Sequence, residues 1–279
     1  MIKAFVKNWR IYLIEAWALG MFMVSACIVV ILIEHPYFNF SSIIPTAFYR
    51  RLIIALAMGI TAILLIYSKW GKQSGAHMNP AVTLANYQLG RISLIDATWY
   101  IIAQSIGAAF FVFLFKIFAY DFIADKSVNY VVTQPSNAGV VVAFVAEMLL
   151  AFIMFTTVLI VSNSKWAKYT GYIAGLLVFL FIWWEAPLSG MSINPARTFG
   201  SAIVASNFNS FWLYLIAPNC GMQLAAYLYR KYYFNTNQEC ETMQTYMSGA
   251  AHNNVIQKVW CWYKLNKDGT IAQHKISEQ

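Results

Sequence analysis

Charged residues are scarce in this sequence: only 11% of its 279 residues are Asp, Glu, Lys or Arg. Soluble domains carry about 25% charged residues, so the composition excludes an ordinary soluble globular protein. Hydrophobic residues make up 60% of the chain. The low charge and high apolar content together indicate a protein that spans a lipid bilayer.

Cysteine is also scarce, and its positions form neither a disulfide framework nor a compact metal site. Cys27 and Cys220 lie in apolar stretches, whereas Cys240 and Cys261 lie in the polar C-terminal part. No His-Glu-x-x-His motif, nucleophile box or pair of aspartates within an apolar stretch is present. We therefore expect a protein that is not an enzyme and that needs no metal or other cofactor.

Basic residues outnumber acidic ones by 19 to 11, but their positions indicate membrane orientation rather than nucleic-acid binding. If the N-terminus is cytoplasmic, fourteen of the nineteen fall on the cytoplasmic side. The five that fall outside are Arg50, Arg51, Lys116, Lys126 and Arg197. This bias follows the positive-inside rule and predicts a plasma-membrane or bacterial inner-membrane protein with both termini in the cytoplasm.

Apolar stretches of about 20 residues, the length needed to cross a bilayer, predict six transmembrane helices. They lie near residues 11–33, 48–67, 93–119, 140–161, 169–186 and 210–229. Residues 1–230 are thus expected to form the membrane domain, and the polar residues 231–279 a cytoplasmic tail. An Asp268-Gly269 pair between two partly alternating runs favours a small hairpin in that tail.

A ten-residue segment containing Asn-Pro-Ala occurs twice. Residues 74–83 and 189–198 are identical at six of ten positions, at an offset of 115 residues. The repeat extends further, because Glu15 in the first apolar stretch is matched by Glu147 in the fourth. Repeat one covers about residues 10–119 and repeat two about 138–230. Three crossings per repeat is an odd number, so the second repeat enters the membrane from the opposite side.

The residues after each Asn-Pro-Ala are too few to span the membrane. Residues 79–89 and 194–204 are eleven residues each, or about 16 Å of helix against a hydrocarbon core of about 30 Å. We expect two re-entrant half-helices whose N-termini meet. The preceding residues 70–78 and 187–193 are expected to be non-helical and to line a water-filled cavity. The fold class is therefore an all-α membrane protein with six transmembrane helices and two half-helices in an inverted 3+3 repeat.

Each residue of the repeated motif suits the start of such a half-helix. The two motifs are Asn79-Pro80-Ala81 and Asn194-Pro195-Ala196. Proline favours the first helical position, and the asparagine oxygen caps the first turn. The amide NH₂ groups of Asn79 and Asn194 are then free to donate to a solute, and alanine allows close approach. Two positive helix ends at mid-pore would pass small neutral solutes and repel ions.

These motifs, the Glu15 and Glu147 pair and the segment Ala103–Ala108 resemble those of the aquaporin and aquaglyceroporin family (major intrinsic proteins) over about residues 10–230. The resemblance implies the aquaporin fold and a homotetramer in the lipid bilayer, with one pore per subunit. It also implies that the protein conducts water and small neutral solutes.

The resemblance further implies an outer selectivity filter. Arg197, which replaces Val82 of the first motif, is its cationic member, and Ile182 and Met191 are expected beside it. The member on the second span is Met58 or Gly59. This set is more apolar than the histidine and aromatic residue of strict water channels, so glycerol, ammonia and hydrogen peroxide stay open as solutes.

Three glutamates in apolar surroundings need partners. Glu15 and Glu147 are expected to accept backbone N–H groups of the loops before the half-helices. Glu185, one turn after Ile182, either faces the outer vestibule and pairs with Arg197 or is a solvated helix-end carboxylate. A secondary carrier is an alternative class, since carriers also use inverted repeats and broken helices, but ion-coupled carriers usually place carboxylates at the midplane.

Overall fold

The computed structural model describes residues 1–232, 263–265 and 271–273. The long helices are α1 (Ile2–Glu34), α3 (Ala47–Tyr67), α6 (Leu94–Phe118), α8 (Val140–Ser162), α9 (Thr170–Trp184) and α12 (Phe211–Tyr232). Two shorter helices are α5 (Pro80–Gln88) and α11 (Pro195–Ala205). Single turns form α2 (Phe40–Ile43), α4 (Gly71–Ser74), α7 (Tyr120–Ile123) and α10 (Ala186–Ser189), and 3₁₀-type turns occur at Pro36–Phe38, Asn129–Val131 and Ala167–Tyr169.

All six predicted spans are helical, but the first begins at Ile2 rather than near residue 11. The expectation was wrong there because the extra turns pack against the start of α6. Asn8 Nδ2 and Tyr12 Oη both donate to Asp96 Oδ1, at 3.0 and 2.6 Å. Among the described residues, five helices are long and apolar enough to cross a membrane: Ala4–Glu34, Ala47–Tyr67, Leu94–Phe118, Val140–Ser162 and Ala167–Trp184. Helix α12 has 22 residues but is more polar.

The helices pack as two equivalent sets. Helix α1 packs on α6 as α8 packs on α12, and α3 packs on α9 between the sets. Each half-helix lies against the last long helix of the other repeat, α5 on α12 and α11 on α6. A Cβ at Gly107 would lie 2.2 Å from Ala16 O, and one at Gly221 would lie 2.2 Å from Met148 O. Only glycine therefore permits these two equivalent helix crossings.

Two short strands lie in the C-terminal part of the chain. Strand β1 (Tyr263–Leu265) pairs antiparallel with β2 (Ile271–Gln273), with Tyr263 opposite Gln273. The pairing is that of the hairpin which Asp268-Gly269 predicts, although the turn itself lies outside the described residues. The division of the chain into a channel domain and a cytoplasmic tail stays a prediction.

Candidate functional site

Asparagine caps both half-helices. Asn79 Oδ1 accepts the Ala81 N–H at 2.9 Å, and Asn194 Oδ1 accepts the N–H groups of Ala196 and Arg197 at 3.1 and 3.2 Å. A proline occupies the first helical position of each. The structure confirms the predicted N-caps. They could be predicted because capping geometry depends only on residues close in the sequence.

The two caps are also linked to each other. Asn79 Nδ2 donates to Ile193 O at 2.8 Å, and Asn194 Nδ2 donates to Met78 O at 2.7 Å. This reciprocal pair holds the N-termini of the half-helices together. The expectation that both amides are wholly free was therefore wrong. Each NH₂ has two N–H groups, so the link uses one and leaves one for a solute.

The loops before the half-helices have matching backbones. Their residues with positive φ are Gly75, Ala76 and Met78 (83°, 48° and 47°) and, in the second repeat, Gly190, Met191 and Ile193 (82°, 46° and 45°). A left-handed conformation costs a non-glycine residue about 1–2 kcal/mol, so other contacts must hold these loops. Each loop opens with a helical turn, α4 or α10, where the sequence predicted non-helical backbone.

Glu15 holds the first loop by accepting its backbone N–H groups. Its Oε1 accepts the His77 N–H at 3.0 Å and its Oε2 accepts the Met78 N–H at 2.7 Å. Gln104 Nε2 donates to the same Oε2 at 2.7 Å. The carboxylate is fully buried, and these three donors replace the water that it would otherwise bind. The contact to the loop is the one that the sequence predicts.

Glu147 holds the second loop in an equivalent way. Its Oε1 accepts the Ser192 N–H and the Ser189 hydroxyl, both at 2.7 Å, and its Oε2 accepts the Ile193 N–H at 2.5 Å. Tyr214 Oη donates to Ser189 O. In the first repeat Tyr100 Oη donates to Ser74 O, at 2.8 Å. These two tyrosine contacts were not predicted, although the 114-residue spacing of Tyr100 and Tyr214 nearly matches the repeat.

A cavity of about 530 Å³ runs between the two repeats. Along α3 its wall extends from Arg50 to Ile66, a rise of about 24 Å. Both capping asparagines line it, and so do the candidate filter residues Met58, Ile182, Met191 and Arg197. The wall is mostly apolar. Its polar groups lie at the N-termini of the two half-helices and at the two ends of the cavity.

Met58, rather than Gly59, is the second-span residue on the cavity wall. Gly59 faces α9 instead, where an added Cβ would lie 2.7 Å from Gly175 O. Of the two residues that the sequence left open, Met58 is thus the one that lines the cavity, and its role in a filter stays a prediction. The reason is rotation about α3: adjacent helical residues point about 100° apart, so only one of the pair faces the cavity.

Arg197 is anchored by a backbone carbonyl, because its Nη1 donates to Val131 O at 3.0 Å. In the described part of the chain it makes no ion pair with Glu185. Glu185 is 8% exposed and does not line the cavity, so both predicted roles for it were wrong. Helix α9 ends at Trp184, and the chain turns there into α10.

Other polar groups at the two ends of the cavity were not predicted. At one end Arg91 Nη1 donates to Asn86 Oδ1 at 3.4 Å. Arg91 was predicted only to lie on the cytoplasmic side of the membrane, although its place directly after a half-helix was a usable signal. At the other end Arg50 Nε donates to Glu34 Oε2 at 3.0 Å. The carbonyl of Val131 carries no sequence signal at all.

These features are those of an all-α membrane protein built from two inverted repeats. The chain belongs to the major intrinsic protein family, whose model matches residues 3–229. It is 34% identical to Aquaporin NIP1-2 of Arabidopsis thaliana over 63% of this chain and 61% of that protein. It is 36% identical to Aquaporin-5 of Ovis aries over 66% of this chain and 70% of that protein. The chain thus spans about three fifths of the length of the plant relatives it matches.

The fold is similar to that of the aquaglyceroporin from Plasmodium falciparum, with a TM-score of 0.66. The likeness covers 81% of this chain and 96% of the other, at 20% sequence identity. At this identity the likeness establishes the fold: an all-α arrangement with apolar membrane-spanning helices.

Proposed function

We propose that this protein is a passive channel, not an enzyme, that conducts water and excludes ions and protons. The observation that carries the proposal is the reciprocal pair of bonds from Asn79 to Ile193 O and from Asn194 to Met78 O, beside a cavity that extends along the helices. The link brings two helix N-termini to one place. It leaves a free amide N–H on each side for a passing solute.

Ion exclusion follows from the charges at this point. Each helix N-terminus carries about +0.5 of an elementary charge, and the two add where the half-helices meet. A cation, including hydronium, is repelled there. A water molecule accepts hydrogen bonds from the amides and turns its own hydrogens away, which interrupts the chain along which a proton would hop.

The selectivity filter in this proposal consists of Arg197, Ile182, Met191 and Met58. Arg197 repels cations and donates hydrogen bonds to the solute. The other three side chains are apolar, and this favours a second candidate function: a channel for glycerol, ammonia or hydrogen peroxide with little water flux. Methionine is flexible enough to adapt to solutes of different size.

The assembly and location are part of the same proposal. We propose a homotetramer with one pore per subunit in the plasma or bacterial inner membrane, with residues 1–230 as the channel and 231–279 as a cytoplasmic tail. The excess of Lys and Arg at the ends and loops assigned to the cytoplasm supports cytoplasmic termini.

Stopped-flow light scattering on proteoliposomes tests the function, with wild type compared with Arg197→Ala and with the exposed control Lys126→Ala. Rapid shrinkage in an impermeant sugar, without re-swelling in glycerol, identifies a water channel. Slow water flux with fast glycerol entry identifies the second candidate. Flux that saturates and follows an ion gradient would instead indicate a carrier and contradict both.

A further inference from the structure

The residue that anchors Arg197 lies in an unusual turn. Asn129, Tyr130 and Val131 are consecutive and all have positive φ, 44°, 52° and 55°. None is glycine, and Val131 is β-branched, the type for which this conformation is least favourable. Yet the carbonyl of this last residue accepts the Arg197 hydrogen bond. Strained backbone that persists at a functional site must be held by its surroundings.

Lys116, near the end of α6, contacts both this turn and the half-helix that carries Arg197. Its Nζ lies 5.3 Å from the ring centroid of Tyr130 and 5.8 Å from that of Tyr120. The same Nζ donates to Val204 O, in the last turn of α11, at 3.3 Å. Helix C-termini carry partial negative charge and unpaired carbonyls, so an ammonium group is well placed there.

A second contact ties the turn to the other end of α11. Thr133, two residues after Val131, shares a buried hydrogen bond of 2.9 Å with Thr198. Thr198 is the residue next to Arg197. The left-handed turn is thus attached to both ends of α11. The threonine pair connects it to the first turn of α11, and Lys116 connects it to the last.

We propose that Lys116 is a positioning residue for Arg197, acting through the left-handed turn Asn129–Val131. The ammonium group holds Tyr130 against the end of α11 and so keeps the carbonyl of Val131 opposite the guanidinium group. Without it, the turn relaxes towards negative φ, the carbonyl moves away, and Arg197 leaves its place on the cavity wall. The effect on solute selectivity rests on the proposed function; the effect on the geometry does not.

The transport test compares Lys116→Met with Lys126→Met, which makes the same change at an exposed lysine in the connection after α7. We expect Lys116→Met to raise the ratio of glycerol to water permeability about threefold, the size expected for losing one partly exposed cation–π contact. Lys116→Arg should restore most of the ratio, and Lys126→Met should leave it unchanged. In an Arg197→Ala background Lys116→Met should have no further effect, because its influence passes through Arg197.

A structure of the Lys116→Met variant tests the proposal even if wild type conducts nothing, in which case only the proposed function fails. We expect the bond from Arg197 Nη1 to Val131 O to be absent and at least one residue of the turn to have negative φ. An unchanged bond would overturn the proposal. A full effect of Lys116→Met in the Arg197→Ala background would overturn it as well, since Lys116 would then act independently of Arg197.

Discussion

The two half-helices and their loops have nearly the same backbone but different side chains towards the cavity. Positive φ angles recur at equivalent positions, and a buried glutamate accepts two backbone N–H groups from each loop and one further hydrogen bond, from Gln104 of α6 to Glu15 and from the Ser189 hydroxyl to Glu147. The cavity-facing residue after Asn-Pro-Ala is Val82 in one repeat and Arg197 in the other. The duplicated part supplies the framework, and the part that differs supplies the proposed selectivity.

The largest effect is expected from the glutamates that make the two loops alike. Glu15→Gln and Glu147→Gln each replace an oxygen that accepts a loop N–H with an NH₂ group. Each unpaired N–H costs about 1–3 kcal/mol, so both variants should lose thermal stability in detergent by similar amounts. Glu34→Gln, which breaks a pair nearer the surface, is the control and should change stability by about 0–1 kcal/mol. A large loss for only one glutamate would show that the supports are not equivalent.

Arg197→Val removes the main difference between the repeats, because it gives the second repeat the valine that the first has at position 82. We expect glycerol permeability to rise about tenfold, as suits the loss of one charge-assisted donor group, together with a measurable cation leak. Stopped-flow and cation-flux assays measure the two effects. Arg197→Lys is the matched variant. It keeps the positive charge but not the planar set of guanidinium donors, so it should raise glycerol permeability without a cation leak. Unchanged glycerol permeability and cation flux in Arg197→Val would contradict the assignment of Arg197 to the selectivity filter.

Asn79→Asp and Asn194→Asp test whether the link between the repeats is reciprocal. Aspartate still caps the helix but cannot donate, so Ile193 O or Met78 O loses its partner at a cost of about 1–3 kcal/mol. Both variants should lower the melting temperature by comparable amounts. They should also admit cations, because the new charge offsets the helix dipoles. Asn207→Asp, whose side chain only accepts a hydrogen bond, should leave the melting temperature unchanged.

Met58→Ala should give the smallest change in permeability, and Gly59→Ala is its matched variant at the neighbouring position. Met58→Ala shortens a side chain on the cavity wall, so it should alter the ratio of glycerol to water permeability, by less than Arg197→Val. Gly59→Ala should instead leave that ratio unchanged and lower stability by about 1–3 kcal/mol through overpacking against α9. The reverse pattern would place Gly59, not Met58, on the cavity wall.

Much of the fold was predictable because its signals are local or repeated. Span lengths follow from runs of apolar residues, and the half-helix starts follow from Asn-Pro-Ala. The glutamate contacts were predictable because two buried carboxylates at equivalent positions need donors. The rotation of α3 was not predictable, since one gap in a loop changes whether Met58 or Gly59 faces inwards. Glu185 was misplaced because the spacing gives its place at the end of α9 but not the packing around it, which buries the side chain.

The sequence by itself determined the inverted repeat, the capped half-helices and the asymmetry between Val82 and Arg197. Capping and periodicity act between residues close in the chain, so a pattern can report them. Only the tertiary structure decided which groups those half-helices bind. The amide of Asn79 bonds a carbonyl 114 residues away, and Arg197 bonds one 66 residues away. Every residue but proline offers the same backbone donor and acceptor, so packing alone selects which of them meet.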